Sequence, residues 1–65
     1  MNTFEFILDE LNQSGHTYVT NPIGFGMSVE EFKTVYADED AYVLDIERQD
    51  NLTIIKTEIG TFKTF

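Results

Sequence analysis

A few residues of this 65-residue chain could in principle support catalysis, and the first candidates are a serine and a histidine. Ser14 and His16 lie two positions apart, which would suit a serine nucleophile and a histidine base. Nucleophilic catalysis also needs the two side chains in contact and a third group that orients the base. The two residues flank Gly15 in a predicted turn, where solvation is the simpler expectation. We therefore expect no nucleophilic site here.

Paired carboxylates are the second kind of candidate, because they can act as general acid and general base. Asp9-Glu10 and Glu30-Glu31 are such pairs, but neighbouring acids arise easily in a chain with twelve acidic residues. The run Asp38-Glu39-Asp40 could attract calcium, yet it lacks the glycine and the distal glutamate of an EF-hand loop. We therefore predict that the protein is not an enzyme.

The chain also lacks the usual means of holding a cofactor. It has no cysteine and one histidine, so a zinc site is not expected. Gly24-Phe25-Gly26 is followed by neither the third glycine nor the lysine of a phosphate-binding loop. We expect no cofactor and no metal.

The net charge limits the partners that the protein can have. Twelve acidic residues stand against four basic ones, for a formal charge of −8. Proteins that bind nucleic acids gain affinity by neutralising phosphates with Lys and Arg, so we expect no binding to DNA, RNA or anionic membranes. Two interpretations of the acidity stay open. It can serve solubility alone, or it can match a partner with a basic surface, such as an enzyme whose groove holds DNA.

The length predicts one small domain over residues 1–65 with marginal stability, because such a chain buries only about 60% of its unfolded surface. Without disulfides, a tight partner or a homodimer is the expected source of extra stability. The N-terminus lacks the basic start of a secretory signal. No apolar run approaches the roughly 20 residues that span a bilayer, so we expect a cytoplasmic protein.

Residues 3–14 favour an amphipathic helix. Its apolar face is formed by Phe4, Ile7, Leu8 and Leu11, at helical spacing. Asn2 and Glu5 have the spacing of a capping box, with Asn as a partial match. The alternative is a strand, because every second residue from Phe4 to Leu8 is also apolar.

The middle of the chain predicts a strand, a loop and a second helix. Residues 16–20 are β-branched and aromatic, which is typical of a short strand. An Asn-Pro pair ends it, and residues 23–26 are predicted to form a flexible, apolar connection. Ser28 and Glu31 form a capping box that opens a helix from Val29 to Ala37.

The C-terminal part predicts strands. Residues 42–47 alternate, Asp50-Asn51 indicates a turn, residues 52–59 form a second strand, and 61–65 form a last short segment. The sequence therefore predicts an α+β fold in the order helix-strand-helix-strand-strand. Two short helices are expected to pack on one face of a small antiparallel sheet.

The most distinctive surface candidate lies within residues 28–50, which hold eight acids against two basic residues. An apolar cluster accompanies these acids and comprises Met27, Val29, Phe32, Val35 and Tyr36. A hydrophobic anchor ringed by charge is how binding hot spots are built. Apolar helix faces are nevertheless more often buried in the core. Both interpretations of this cluster stay open at this point.

Residues 26–36 resemble the helix segment of the short phage-encoded uracil-DNA glycosylase inhibitors. There a Gly, an apolar residue and Ser lead into a helix with an acid, a Phe and, four residues later, a Tyr, as in Gly26-Met27-Ser28-Val29-Glu30-Glu31-Phe32-Lys33-Thr34-Val35-Tyr36. The predicted order of elements is similar to that of the longer phage inhibitors. The pattern departs at Lys33, where the short inhibitors have an acid.

The resemblance implies a protein that mimics DNA, with acids in place of phosphates and an apolar pocket that captures the enzyme's leucine loop. It implies that Phe32 and Tyr36 line this pocket beside Glu31, and that the protein acts as a dimer. Met27 and Val29 are added by proximity. The candidate partner-binding residues are Met27, Val29, Glu30, Glu31, Phe32, Tyr36, Asp38, Glu39 and Asp40.

The leading hypothesis is therefore a DNA-mimicking inhibitor of a basic DNA-binding enzyme, with uracil-DNA glycosylase as the first target. One alternative is another DNA-binding target, such as a nuclease, a CRISPR effector or a repressor. A different class is a small structural or adaptor protein whose acidity serves solubility. A DNA mimic should gather its acids on one face, whereas an adaptor should spread them evenly.

Overall fold

The computed structural model describes residues 2–65, which form two helices and one five-stranded sheet. The elements are α1 (Thr3–Ser14), β1 (Tyr18–Thr20), β2 (Gly26–Ser28), α2 (Val29–Val35), β3 (Val43–Gln49), β4 (Leu52–Thr57) and β5 (Gly60–Thr64). The strand order is β2-β1-β5-β4-β3, and all neighbours run antiparallel. The predicted α+β fold, with short helices on a small antiparallel sheet, is confirmed.

Local capping explains where the helices begin and end. The Asn2 side chain accepts a hydrogen bond from the Glu5 N–H (2.9 Å), and Gly15 ends α1 in the left-handed conformation (φ 75°). The helical interpretation of residues 3–14 is therefore correct and the strand alternative is wrong. At α2, both bonds of the capping box between Ser28 and Glu31 are present.

Several bounds differ from the sequence prediction: β1 begins at Tyr18 rather than at residue 16, and β4 ends at Thr57 rather than at residue 59. Residues 23–26 were predicted to be a loop, but Gly26 begins β2, which pairs with β1 in the register Thr20↔Gly26. Helix α2 ends at Val35 rather than at Ala37, because Tyr36 leaves the helical conformation (φ −111°, ψ 17°). The sequence missed β2 because its three residues gain a strand conformation from pairing with β1, not from their own propensity.

The core lies between the helices and one face of the sheet. It is formed by Ile7, Leu11, Val19, Met27, Phe32, Ile55 and Phe62. Phe32 is at its centre, with ring centroids 5.5 Å from Phe4, 5.3 Å from Tyr36 and 6.3 Å from Phe62. No helix within residues 2–65 is long and apolar enough to cross a membrane.

Because neighbouring strands are antiparallel, their connections gather at two opposite ends of the sheet. The loop 21–25, the turn 58–59 and the start of β3 lie at one end, since Thr57 pairs with both Val43 and Gly60. The β3–β4 turn lies at the other end, beside the second half of α1, where Arg48 contacts Glu10. These two ends differ sharply in the side chains that they expose.

Candidate functional site

The structure places the two most apolar of the sequence-predicted contact residues in the core. Phe32 is 0% exposed and Met27 is also buried. The hypothesis that Phe32 lines a pocket open to a partner is therefore corrected, because α2 directs this ring onto the sheet and onto Phe62. Tyr36 and Val29 are half-buried and pack against the same core. The apolar side of α2 thus stabilises the fold.

The acids of α2 remain at the surface but are partly engaged. Glu31 accepts the Ser28 N–H (3.3 Å) in the capping box. Glu30 forms an exposed ion pair with Lys33 (3.9 Å), of a kind that contributes about 0–1 kcal/mol. Both acids lie in the first turn of α2, where a negative charge interacts favourably with the positive end of the helix dipole. Glu30 and Glu31 therefore stabilise the start of α2. Both side chains remain exposed, so they also add negative charge to the surface.

The acidic run that follows α2 is tied to the first turn of α1. The Glu39 side chain accepts the Ala41 N–H (3.1 Å), and the Thr3 N–H donates to the Ala41 carbonyl (2.6 Å). Asp38 and Asp40 remain exposed on either side of Glu39. The run is therefore held in place while two of its carboxylates face solvent.

Large apolar side chains are exposed at the end of the sheet where this acidic run arrives. We name this surface the apolar end; it comprises Ile23 (78% exposed), Phe25 (67%), Tyr42 (61%), Leu44 (68%) and the less exposed Ile59. The other large exposed apolar residues of the described chain are Tyr18, Val35 and Phe65. They share one end of the sheet but lie towards its two edges, because Ile23 and Phe25 connect β1 to β2 whereas Tyr42 and Leu44 are at β3. Large exposed apolar groups are candidates for contacts with a partner.

Specific contacts connect the parts of the apolar end. Tyr42 and Glu58 are joined twice, because the Tyr42 N–H donates to the Glu58 carboxylate (2.6 Å) and the Glu58 N–H donates to the Tyr42 carbonyl (3.1 Å). Two residues further on, Gly60 lies against Pro22, so closely that a Cβ at Gly60 would be 2.6 Å from the Pro22 Cβ. The loop 21–25 is thus in contact with the start of β5.

Acidic residues lie beside the part of the apolar end that belongs to β3. Asp38, Glu39 and Asp40 lead into Tyr42, Asp45 follows Leu44, and Glu58 bonds to Tyr42. This combination of exposed apolar groups with surrounding charge is the arrangement expected of a binding hot spot. The sequence analysis expected such an arrangement around the apolar side of α2, which is instead packed against the core.

Exposed acids lie on both sides of the sheet. Asp45 and Glu47 alternate with the inward Ile46, so they occupy the sheet face opposite the helices, where Asp45 stands across from Lys56. Asp9 is exposed on α1, on the helical side. Negative charge is therefore present on both sides of the sheet, which is the distribution expected of an adaptor rather than of a DNA mimic.

The opposite end holds a buried carboxylate whose oxygens are fully engaged. Glu10 is 4% exposed and accepts two hydrogen bonds from Arg48 (2.9 and 3.3 Å) and one from the Thr53 hydroxyl (3.0 Å). The Arg48 bonds are the main reason that the pKa of Glu10 lies below its ordinary value, while burial opposes this shift. Glu10 also raises the pKa of Arg48.

The residues considered for catalysis are near this buried carboxylate. An open cleft of about 260 Å³ is lined by Glu10, Gln13, Ser14 and Arg48. The Ser14 hydroxyl donates to the Glu10 carbonyl (2.6 Å), and the His16 ring pairs with Thr64 (2.8 Å). Ser14 and His16 are thus engaged with other groups rather than aligned as nucleophile and base. Within residues 2–65, no three His, Asp or Glu side chains are grouped to hold a metal ion.

Comparison of the chain with protein-family models, curated proteins and solved structures gives no match. The apolar end was not predicted as a site. The available signal was Ile23 and Phe25, two large apolar residues beside Pro and Gly in a connection that would ordinarily be polar.

Proposed function

We propose that the protein is a non-catalytic inhibitor that occupies the DNA-binding groove of a DNA-processing enzyme, with uracil-DNA glycosylase as the first target. The observation that supports this proposal most is the apolar end bordered by acids. Such a surface complements a groove that is basic towards phosphate and apolar towards bases. The protein would act in the cytoplasm beside its target, which is the host cytoplasm if a phage encodes it.

Electrostatic attraction would bring the two proteins together. The net charge of −8 repels nucleic acid and attracts a basic groove, which raises the rate of association at low salt. Asp38 and Asp40 are exposed beside the apolar end, so their charge lies where the enzyme would meet it. Acids elsewhere on the surface add to the long-range attraction without contributing contacts.

The apolar residues would supply most of the affinity once the surfaces meet. Aromatic side chains carry much of the binding energy in hot spots, and the apolar end contains Phe25 and Tyr42. The half-buried Tyr36 and the exposed Glu31 remain candidates from the family resemblance. Phe32 is no longer proposed as a contact residue. Its proposed role is to hold α2, the helix that presents Glu31 and Tyr36, against the core.

A second candidate is an adaptor that forms a homodimer or a larger assembly through the apolar end. The observation in its favour is that acids lie on both sides of the sheet, as expected if they serve solubility. A symmetric dimer through the apolar end would, however, bring Asp38, Asp40 and Glu58 of both copies together. Repulsion among them favours a basic partner over a second copy.

The test is uracil excision by a bacterial uracil-DNA glycosylase. The protein, added in equal moles to the enzyme, is expected to abolish excision from a uracil-containing duplex. It should also shift no labelled duplex on its own at physiological salt. Unchanged excision with the protein in tenfold excess would eliminate glycosylase as the target. Nucleases, CRISPR effectors and repressors would then be tested by the same competition with DNA.

A further inference from the structure

We infer that the free edge of strand β3 binds an extended, basic segment of a partner protein, which adds to the sheet as a sixth strand. The edge strands of the described sheet are β2 and β3. Strand β2 has three residues and leads directly into α2, whereas β3 has seven and is the longest of the five strands. Because proteins usually keep their edge strands short, a long edge strand is a candidate for pairing with another chain. A strand-binding edge goes beyond the proposed function, because it does not depend on which enzyme is the target.

The second part of β3 forms the regular portion of this edge. A bridge between Asn2 and Tyr42 lies just before β3, and the register with β4 shifts between Val43 and Asp45. From that point the pairing with β4 is regular up to the two-residue turn that closes the hairpin. Residues 45–49 therefore form an extended edge that runs from the apolar end towards the opposite end of the sheet.

Alternate residues of this edge direct their backbone groups away from β4. Gln49 and Leu52 flank the two-residue turn, and such a flanking pair is hydrogen-bonded. Hydrogen-bonded positions alternate in an antiparallel pair, so Glu47 bonds to β4 while the N–H and C=O groups of Ile46 and Arg48 point to the free side. In the described part of the chain, no other strand lies on that side. These groups can therefore pair with a further strand, as in the addition of extended peptides to sheet edges.

The side chains of the edge define the chemistry of the strand that fits it. Asp45 and Glu47 are exposed on the sheet face opposite the helices. Within residues 2–65 neither carboxylate forms an ion pair, although Lys56 stands opposite Asp45 on β4. Ile46, between the two acids, is half-buried on the other face. Because directly opposite side chains interact, a matching strand has Lys or Arg opposite both acids and an apolar residue opposite Ile46.

A second copy of β3 does not match this edge. In a continuous sheet, a symmetric pair of β3 strands runs antiparallel and places residues of the same face opposite each other. A pair centred on Ile46 brings Asp45 against Glu47 of the second copy. A pair centred on Asp45, Glu47 or Arg48 brings that charge against itself. Like charges directly opposite are destabilising, so the acids guard the edge against self-association and leave it open to a basic strand.

The experiment titrates the protein with the peptide Lys-Val-Lys-Val-Lys-Val-Lys and follows amide hydrogen exchange by NMR. A matched peptide with proline at its centre, Lys-Val-Lys-Pro-Lys-Val-Lys, has the same charge but cannot donate the central backbone hydrogen bond. The first peptide is expected to bind about tenfold more tightly than the second. On binding, exchange should slow at Ile46 and Arg48, whose amides face the free edge. The amides of Glu47 and Gln49 should change little, because they already bond to β4.

Charge reversal distinguishes the edge from the net charge of the protein. Asp45→Lys with Glu47→Lys should bind the basic peptide about tenfold more weakly than the wild type does. This variant should also bind the acidic peptide Glu-Val-Glu-Val-Glu-Val-Glu more tightly than the wild type does. Asp9→Lys with Asp38→Lys has the same net charge but an unchanged edge, so it should bind the basic peptide within about threefold of the wild type. All four side chains are exposed, and circular dichroism of each variant controls for folding.

Several results would overturn the added strand. Equal binding of the basic peptide and its proline counterpart, or unchanged exchange at Ile46 and Arg48, would mean that charge alone holds the peptide. Absence of binding, or equal binding by the two charge-reversed variants, would show that β3 does not carry the site. A dimer in sedimentation whose formation slows exchange at Ile46 and Arg48 would make a second copy the occupant. Uracil excision tests the proposed function separately, so failure of one leaves the other standing.

Discussion

The two ends of the sheet differ in which side chains they bury: one end buries a charged group, and the other exposes apolar groups. At one end the charged Glu10 is buried, and each oxygen of its carboxylate is paired with Arg48 or Thr53. At the apolar end, most of the surface of Ile23, Phe25 and Leu44 is exposed to solvent. Burial of a carboxylate is costly unless both oxygens are hydrogen-bonded, and both oxygens of Glu10 are. The exposed apolar side chains could still gain favourable free energy if a partner covered them.

The difference separates residues that stabilise the molecule from residues that are available to a partner. The Glu10–Arg48 pair joins α1 to β3, while Thr53 extends the contact to β4, so its groups are used within the chain. The apolar end is held by backbone bonds, and its side chains take little part in the core. A change at the first end should therefore affect stability, and a change at the second should affect binding.

The largest effect is expected from the core residue that the sequence placed in the binding surface. Phe32→Ala should lower the free energy of unfolding by about 3–5 kcal/mol, because it empties the centre of the core. Since a single core in a chain of this length rarely supplies more than about 3–5 kcal/mol, this variant is expected to be largely unfolded at 37 °C. Phe25→Ala, as the exposed counterpart, should change stability by less than about 0.5 kcal/mol.

Urea unfolding followed by circular dichroism measures both variants. If Phe32→Ala were as stable as the wild type but failed to inhibit the enzyme, Phe32 would be a contact residue and the division between the two ends would be wrong.

A smaller loss of stability is expected at the Glu10 end. Arg48→Met removes two of the three hydrogen bonds to a buried carboxylate and should lower the free energy of unfolding, because the carboxylate then lacks partners for part of its charge. Lys33→Met breaks the exposed pair with Glu30 and should cost less than about 1 kcal/mol. Equal losses in the two variants, measured by urea unfolding, would show that the buried carboxylate is not stabilised by its partners.

The Glu10 end should also determine part of the pH dependence of stability. The pKa of Glu10 is lowered in the fold from an ordinary value of 4.5, chiefly by hydrogen bonds from Arg48. The unfolded chain therefore binds a proton more readily, so this stabilisation is present above pH 4.5 and is lost as pH falls through the lower folded pKa. The free energy of unfolding below pH 4.5 should fall less steeply with acid in Arg48→Met than in the wild type.

The smallest effect is expected from charge at the apolar end. Replacing Asp38 and Asp40 together by Asn should slow association with the enzyme several-fold at low salt, and the difference should shrink at high salt. Asp9→Asn with Glu47→Gln removes the same charge elsewhere and should slow association less. Stopped-flow association rates at two salt concentrations test this prediction, and equal rates for the two double variants would mean that only the total charge matters.

The sequence predicted most of the fold because local signals agreed with the tertiary structure. Helix α1 has an apolar face, a capping Asn2 and a terminal Gly15, and the turn at Asp50-Asn51 separates two strands of the expected character. Strand β2 could not be predicted, because Gly26 and its neighbours become a strand only by pairing with β1. The bulge between Val43 and Asp45 likewise depends on the partner strand β4.

The candidate site was harder to predict for a physical reason. A single sequence shows that Phe32 lies on the apolar side of a helix, but it does not show whether the sheet covers that side. Burial is decided by contacts with Phe4 and Phe62, which are distant in the chain. The exposure of Phe25 was equally hidden, because it depends on the hairpin that directs the loop away from the core.

The most direct test of the account is an amide NMR titration of the protein with a bacterial uracil-DNA glycosylase. If the apolar end is the contact surface, the largest changes should fall on residues 22–25, 38–45 and 58–59. Residues around Glu10 and Arg48 should change little. Changes centred on α2 or on the Glu10 end would contradict the account, and so would an unchanged spectrum with the enzyme in excess.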